Sequence, residues 1–210
     1  MARWLYSLLL TLLLPGILAF LWYRGRRDRR YRERWAERFG RGPVRDTQGT
    51  LWVHAASVGE VIAATPMVRA LLQQSPERPI LISTMTPTGA ERVQAAFGDQ
   101  VADAYVPLDL PWMVNHFIRR LKPAGLVIME TEVWPNLVHG CERRGIPVIL
   151  ANARLSEQSA AGYARVAPLA LPAFRSLDWI AAQAEADAQR FRAMGVRSGQ
   201  LSVTGSIKYD

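Results

Sequence analysis

Gly125-Leu-Val-Ile-Met129 runs without a charged or hydrogen-bonding side chain into Glu130-Thr-Glu132. A short, fully apolar run bounded by polar residues reads as a strand buried on both faces, as in a parallel sheet covered by helices. Two other segments behave alike. Leu51-Trp-Val-His-Ala-Ala56 opens into Ser57-Val-Gly-Glu60, and Leu201-Ser-Val-Thr204 opens into Gly205-Ser-Ile-Lys208. In a parallel α/β sheet all carboxyl ends point to one edge, where ligands bind. If the three runs are neighbours in one sheet, two carboxylates and one ammonium converge on a single cleft.

Working outward, strand-like runs are expected at 51–56, 79–84, 102–106, 125–129, 146–151, 178–182 and 201–204, with helical patterns between them. Thr86-Pro87 offers an N-cap followed by proline at the first helical position, with Thr88 and Glu91 at capping-box spacing. Met113, Val114, Phe117, Ile118 and Leu121 form one apolar helical face, and Ala184 to Met194 reads as a helix stopped by Gly195. Pro66 sits awkwardly in the helix expected after Glu60; either Thr65 caps a late start or the first turn is irregular. Strands alternating with helices imply right-handed βαβ units and a Rossmann-like, mostly parallel sheet.

The net charge of +8 is concentrated at the N-terminus. Up to position 45 the chain has eleven arginines against three acids, whereas the remainder carries fifteen basic and fifteen acidic residues. Trp4 to Tyr23 is uncharged and leucine-rich, with aromatics at both ends. About 20 such residues suffice to cross a bilayer as a helix, and terminal aromatics match interfacial belts. No small-residue cleavage site follows, which favours an uncleaved anchor over a signal peptide. The arginines after it place the folded part on the cytoplasmic side and attract anionic lipid; beside an anchor, nucleic-acid binding is a poor use for them. The expected organisation is a membrane anchor at 1–23, an Arg-rich juxtamembrane linker at 24–49 and a Rossmann-like domain at 50–210. The single cysteine, Cys141, excludes an internal disulfide framework and fits a reducing compartment.

Dinucleotide and P-loop glycine motifs are absent, and three histidines with one cysteine give no metal-ligand spacing. In His54-Ala-Ala-Ser-Val-Gly-Glu60, Glu60 at a strand exit suits a general base, with Gly59 admitting a ligand close to the backbone. It equally suits a helix start, where a negative charge is stabilised anyway. Ala55-x-Ser57-x-Gly59 also distantly resembles a hydrolase nucleophile elbow, which would need His116 or His139 as partner. Glu130 and Glu132 end an apolar run, where carboxylates are costly unless paired or used; a helix N-terminus explains Glu132 more easily than Glu130. Arg154, after the fifth run, suits a phosphate or carboxylate, or an ordinary ion pair. Lys208 suits developing negative charge or plain solvation.

Six segments together resemble the bacterial 3-deoxy-D-manno-octulosonic acid (Kdo) transferase family of lipopolysaccharide core synthesis. They are His54-Ala-Ala-Ser-Val-Gly-Glu60, Thr84-Met-Thr-Pro-Thr-Gly89, Tyr105-Val-Pro-Leu-Asp109, Glu130-Thr-Glu-Val-Trp-Pro-Asn136, Asn152-Ala-Arg-Leu-Ser156 and Gly205-Ser-Ile-Lys208. The resemblance implies the N-terminal domain of a two-domain GT-B glycosyltransferase at the cytoplasmic face of the cell inner membrane. It implies inverting transfer of Kdo from CMP-Kdo to the lipid A precursor, lipid IVA, without metal or other cofactor. It assigns Glu60 as proton acceptor and Glu130 and Lys208 as transition-state stabilisers, with Ser57, Gly59 and Arg154 on the substrate side. Its members are about twice this length, so the donor-binding half is expected to be absent and the 210 residues inactive alone. Partners are then the donor, the acceptor and inner-membrane lipids, with no nucleic acid. The alternatives are a non-catalytic, membrane-tethered lipid-binding module and a serine hydrolase using Ser57.

Overall fold

A computed structural model describes residues 1–41 and 49–207. The seven expected strands form: β1 (Leu51–His54), β2 (Ile80–Thr84), β3 (Ala102–Tyr105), β4 (Gly125–Met129), β5 (Val148–Ala153), β6 (Trp179–Ala182) and β7 (Leu201–Val203). Among the described residues they make one wholly parallel sheet in the order β3-β2-β1-β4-β5-β6-β7. The winding direction reverses between β1 and β4, which creates a crevice at their carboxyl ends. The helices are α1 (Ala2–Arg24), α2 (Trp35–Arg38), α3 (Val58–Gln74), α4 (Pro87–Phe97), α5 (Pro111–Leu121), α6 (Pro135–Glu142), α7 (Glu157–Arg165), α8 (Ala167–Arg175) and α9 (Glu185–Ala193).

The central strands are apolar throughout because successive side chains enter different layers. Val53, Ile82, Val127 and Met129 pack with Val61 and Val68 of α3 and Val93 of α4. Trp52, Leu81, Leu126, Ile128 and Leu150 pack with residues of α5, α6, α8 and α9 on the opposite face. The expected α5 stripe is wholly buried, and the Phe117 ring lies 4.9 Å from that of Trp52. Burying each such side chain contributes about 1.5–3 kcal/mol.

Local signals mark two helix ends, although Thr88 and Glu91 do not form the expected capping box: Thr88 lies inside the first turn of α4 and Glu91 pairs with Arg30. The Thr86 hydroxyl accepts the Gly89 N–H at 3.1 Å, capping α4. Gly195 ends the turn after α9 at φ +85°, a conformation natural to glycine. Pro66 behaves otherwise. α3 begins at Val58 with Ser57 as its cap and continues through Pro66 to Gln74. Neither a late start at Thr65 nor an irregular first turn occurs; the Thr65 hydroxyl instead donates to the Val61 carbonyl at 2.8 Å. Burial of Val61, Ala64 and Val68 holds the helix together across the missing N–H.

Two other expectations change. The run at 201–204 is not a neighbour of the other two: β7 is the sheet edge, three strands from β4, or about 14 Å at the usual strand spacing. The chain then turns back, and the Ile207 N–H donates to Asn152 Oδ1 at 3.3 Å, above β5. The arginine-rich segment is also not simply a tether. Glu37 and Arg38 are buried, and Arg34 binds Asp103 and Glu37, both at 2.6 Å. The Arg34 and Arg38 guanidiniums lie 4.8 and 4.2 Å from the Tyr105 ring centroid. Long aliphatic stems and paired heads let these arginines pack against the domain. Residues 42–48 of the expected linker lie outside the described residues. α1 is long and apolar enough to cross a membrane, judged by length and composition.

Candidate active site

β1 and β4 are paired through His54 and Ile128, so the segments that follow them emerge side by side. Ser57 caps α3 from the first segment. Its hydroxyl oxygen is 3.4 Å from the Glu60 N–H that it accepts, and its hydroxyl donates to Glu60 Oε1 at 2.8 Å. Glu60 Oε2 accepts the Ala56 N–H at 2.8 Å. This is a capping-box arrangement, with the carboxylate reaching back one residue beyond the cap. Each carboxylate oxygen keeps a further acceptor position. Glu60 is 7% exposed. Burial, aided by the charges of Glu132 and Glu130, pushes its carboxyl up to about 7 against the pull of the Ser57 hydroxyl and Ala56 N–H. The capping and proton-accepting readings are therefore compatible in one side chain.

Glu130 leaves β4 at φ +57°, in the left-handed region that non-glycine residues seldom occupy. Its N–H donates to the Ala151 carbonyl at 2.9 Å, fixing the turn to the next strand. Glu132 does not lie in the first turn of α6. It precedes the Trp134 cap position and accepts the Trp134 indole N–H at 3.0 Å. The α6 N-terminus is instead served by Asp109, whose two carboxylate oxygens accept the Asn136 and Leu137 N–H groups at 3.0 and 2.8 Å.

Three carboxylates thus gather at the switch point, Glu60, Glu130 and Glu132. Gly59 and Ser57 are exposed beside them, and a Cβ on Gly59 would meet nothing closer than Ser57 Oγ at 3.8 Å. Arg154 is exposed just beyond β5. Lys208 lies outside the described residues, although Ile207 before it is held at Asn152. The Ser57 bonds are those of a cap, while His139 pairs with Glu142 at 3.2 Å on α6. Neither observation supports a Ser57 nucleophile.

The structure adds two polar groups to this edge. His54 Nδ1 lies 2.9 Å from Ser83 Oγ, its ring stands edge-on to Trp134, and burial holds its pKa down at about 4. Asn152 adopts φ +52° and accepts from Ile207. His54 Nε2 and Asn152 Nδ2 are buried without a hydrogen-bond partner among the described residues. A polar residue at the end of an apolar strand was the available signal for both.

The architecture matches solved structures of low sequence identity. It superposes on a UDP-N-acetylglucosamine 2-epimerase with TM-score 0.57 at 14% identity, covering 77% of this chain and 47% of that one. The UDP-GlcNAc 2-epimerase of Neisseria meningitidis bound to UDP-GlcNAc gives the same TM-score and identity, over 76% and 47%. At this identity the likeness concerns fold alone, and the class is a Rossmann-like half similar to those of GT-B glycosyltransferases. Sequence specifies the family. Residues 33–210 match the family model for 3-deoxy-D-manno-octulosonic-acid transferase (kdotransferase), and the chain belongs to that family. It is 44% identical over 213 residues to the 3-deoxy-D-manno-octulosonic acid transferase of Haemophilus influenzae, covering 100% of this chain and 50% of that protein. The Bordetella pertussis protein of the same name is 35% identical over 219 residues, again covering 100% and 50%. The chain thus spans about half the length of these curated relatives.

Proposed function

We propose that this chain is the acceptor-side part of a glycosyltransferase that moves Kdo from CMP-Kdo to the lipid A precursor in lipopolysaccharide synthesis. The observation that carries the reading is Glu60: a buried carboxyl, oriented through both oxygens and pushed up to about 7 at the sheet's switch point. A base with that value is half ionised near neutral pH, where proton transfer is most effective.

In the proposed step an acceptor sugar hydroxyl sits at the open lone pairs of Glu60. Its oxygen attacks the anomeric carbon of Kdo from the face opposite CMP, inverting that centre. The hydroxyl proton passes to Glu60, the bond from the anomeric carbon to the phosphate oxygen breaks, and its electron pair leaves with CMP. Glu130, beside Glu60, stabilises positive charge developing on the sugar ring, and Lys208 stabilises negative charge on the leaving phosphate. Ser57 and Gly59 shape the acceptor side, and Arg154 binds an anionic group.

The domain reading is an anchor at 1–23, an Arg-rich connection at 24–49 and an acceptor-side domain at 50–210, positioned at the cytoplasmic face of the inner membrane. Donor nucleotide binding falls mainly to a second Rossmann-like domain, so residues 1–210 alone are expected to transfer no measurable Kdo. The test is transfer of labelled Kdo from CMP-Kdo to lipid IVA by the full-length protein in membranes. Abolition by Glu60→Gln with activity retained in Ser57→Ala supports the assignment, and the reverse pattern overturns it. A lipid-binding module without catalysis predicts acceptor binding with no transfer by any variant.

A further inference from the structure

α1 meets the domain near its N-terminus and meets the following segment, Arg29–Arg32, at its C-terminal end. At its N-terminal end the Arg3 guanidinium donates to Asn136 Oδ1 at 3.1 Å, the Tyr6 hydroxyl donates to Asp109 Oδ2 at 3.1 Å, and the Asn136 amide donates to Ser7 Oγ at 3.0 Å. In the middle, Leu10, Leu14 and Ile17 face Met85, Leu108 and Trp134 across a pocket of about 170 Å³. At the C-terminal end the Arg24 guanidinium lies 4.5 Å from the Tyr31 ring centroid, and Arg32 donates to the Trp22 carbonyl at 3.2 Å. Arg3, Tyr6, Ser7, Leu10, Leu14 and Ile17 recur at intervals of three and four, so one stripe of the helix is turned to the domain.

The remaining surface of α1 is apolar and exposed. Trp4, Leu5, Leu8, Leu12, Phe20 and Trp22 are each more than half exposed and together form a patch the length of the helix. A patch of that size on a folded protein marks an interaction surface. Arg24, Arg26, Arg27 and Arg29 continue it at one end, all exposed. Apolar rings and leucines flanked by cations complement an anionic lipid leaflet, with side chains at the acyl boundary and guanidiniums among the phosphates.

Contact at both ends decides the orientation. The 23 residues of α1 make about 34 Å at ~1.5 Å per residue. A helix crossing the hydrocarbon core, about 30 Å thick, from a domain held at its C-terminal end would carry Arg3 and Tyr6 to the opposite surface. There they could not reach Asn136 and Asp109. We propose that α1 lies in the plane of one leaflet, its Trp4–Leu12–Trp22 face immersed in anionic lipid and its N-terminus on the same side of the membrane as the sheet. The polar side chains that an interfacial helix normally offers to water are here offered to the domain. This accounts for a helix that reads as a membrane span by composition alone.

The test is side-specific labelling of the intact membrane-bound protein. Ala2→Cys reports the N-terminus, Glu77→Cys, at an exposed position, reports the domain, and native Cys141 is buried. A membrane-impermeant maleimide applied to sealed vesicles of either orientation is expected to label both introduced cysteines in the same preparation. Labelling of Ala2→Cys only in vesicles of the opposite orientation to those that label Glu77→Cys overturns the proposal. An independent check pairs Ser7→Cys with Asn136→Cys. Oxidation of the membrane-bound double variant is expected to form the disulfide in most molecules, and failure to form it with Glu77→Cys still labelled overturns the in-plane contact.

Discussion

The Ser57 hydroxyl donates to Glu60 Oε1 at 2.8 Å while its oxygen accepts the Glu60 backbone N–H at 3.4 Å. Each residue therefore holds the other: the serine starts α3, and the glutamate is oriented by the helix it helps to start. Their separate contributions can be measured. Ser57→Ala removes a cap, for a loss of about 1 kcal/mol seen as a lower midpoint in thermal unfolding. It leaves a carboxylate at position 60, and transfer activity is expected to stay within about tenfold. Glu60→Gln is expected to cost about 10²–10⁴ in kcat, with a smaller change in the unfolding midpoint.

The pH profile follows from the same pair. In the role proposed for Glu60 only its ionised form can accept a proton, so kcat/KM of the full-length protein is expected to rise with pH and level off above about 7, the value to which this carboxyl is raised. Glu132 contributes to the elevation, so Glu132→Gln should move the acid limb to lower pH. The Ser57 hydroxyl opposes it, so Ser57→Ala should move the limb to higher pH. Stability responds in the opposite sense to activity. The folded state holds this proton more tightly than the unfolded chain, so the contribution is full below the ordinary value of 4.5 and is lost as pH rises through about 7.

Glu130 allows its side chain to be tested apart from its backbone. It occupies φ +57°, a conformation that glycine adopts without strain and other residues at roughly 1 kcal/mol or more. Glu130→Gly is expected to lower transfer at least tenfold with an unfolding midpoint within a few degrees of the parent. Retained activity would show that position 130 serves the turn rather than the chemistry.

Asp109 joins distant segments. Its carboxylate accepts two N–H groups at the start of α6 and the Tyr6 hydroxyl of α1. Asp109→Ala leaves two buried amide donors unpaired and is expected to cost about 2–4 kcal/mol. Hydrogen exchange should rise at Asn136 and Leu137 before it rises in β1 or β4.

Pro66 is open to a stabilising substitution. Its ring cannot donate to the carbonyl one turn back, in a helix that otherwise runs from Val58 to Gln74. Pro66→Ala restores that bond and is expected to raise the unfolding midpoint by several degrees, corresponding to about 1–2 kcal/mol after the entropy that proline removes from the unfolded chain.

The strands were readable because their signal is local. Val53 and Trp52 are adjacent yet serve opposite layers, so both must be apolar, and the run at 51–54 announces a covered strand without knowledge of its partners. Met113, Val114, Phe117, Ile118 and Leu121 likewise declare a buried helix face by spacing alone. Thr86 was legible as punctuation, because a cap needs only its own following turn; Ser57 was read on the substrate side, and its capping of α3 emerged only from the structure. Glu60 and Glu130 could be singled out because carboxylates at the ends of apolar runs are costly unless used.

Strand order, and the partners of charged groups, could not be read this way. Nothing in Leu201-Ser-Val203 states that it forms the sheet edge, or that Ile207 returns to Asn152; both depend on which strands the crossovers bring together. The elevation of Glu60 needs the depth of burial and the charges of Glu132 and Glu130, which meet it only because β4 pairs with β1. Arg34 and Arg38 look like their neighbours in the arginine block until Asp103, Glu37 and Tyr105 are brought to them. The apolar stretch from Trp4 to Tyr23 prescribes a helix and an apolar environment. Asn136 and Asp109, more than a hundred residues away in the chain, decide which way that helix lies. Backbone propensity and burial pattern act over a few residues and are written in sequence, whereas electrostatic environment and orientation arise between segments that only the folded chain makes neighbours.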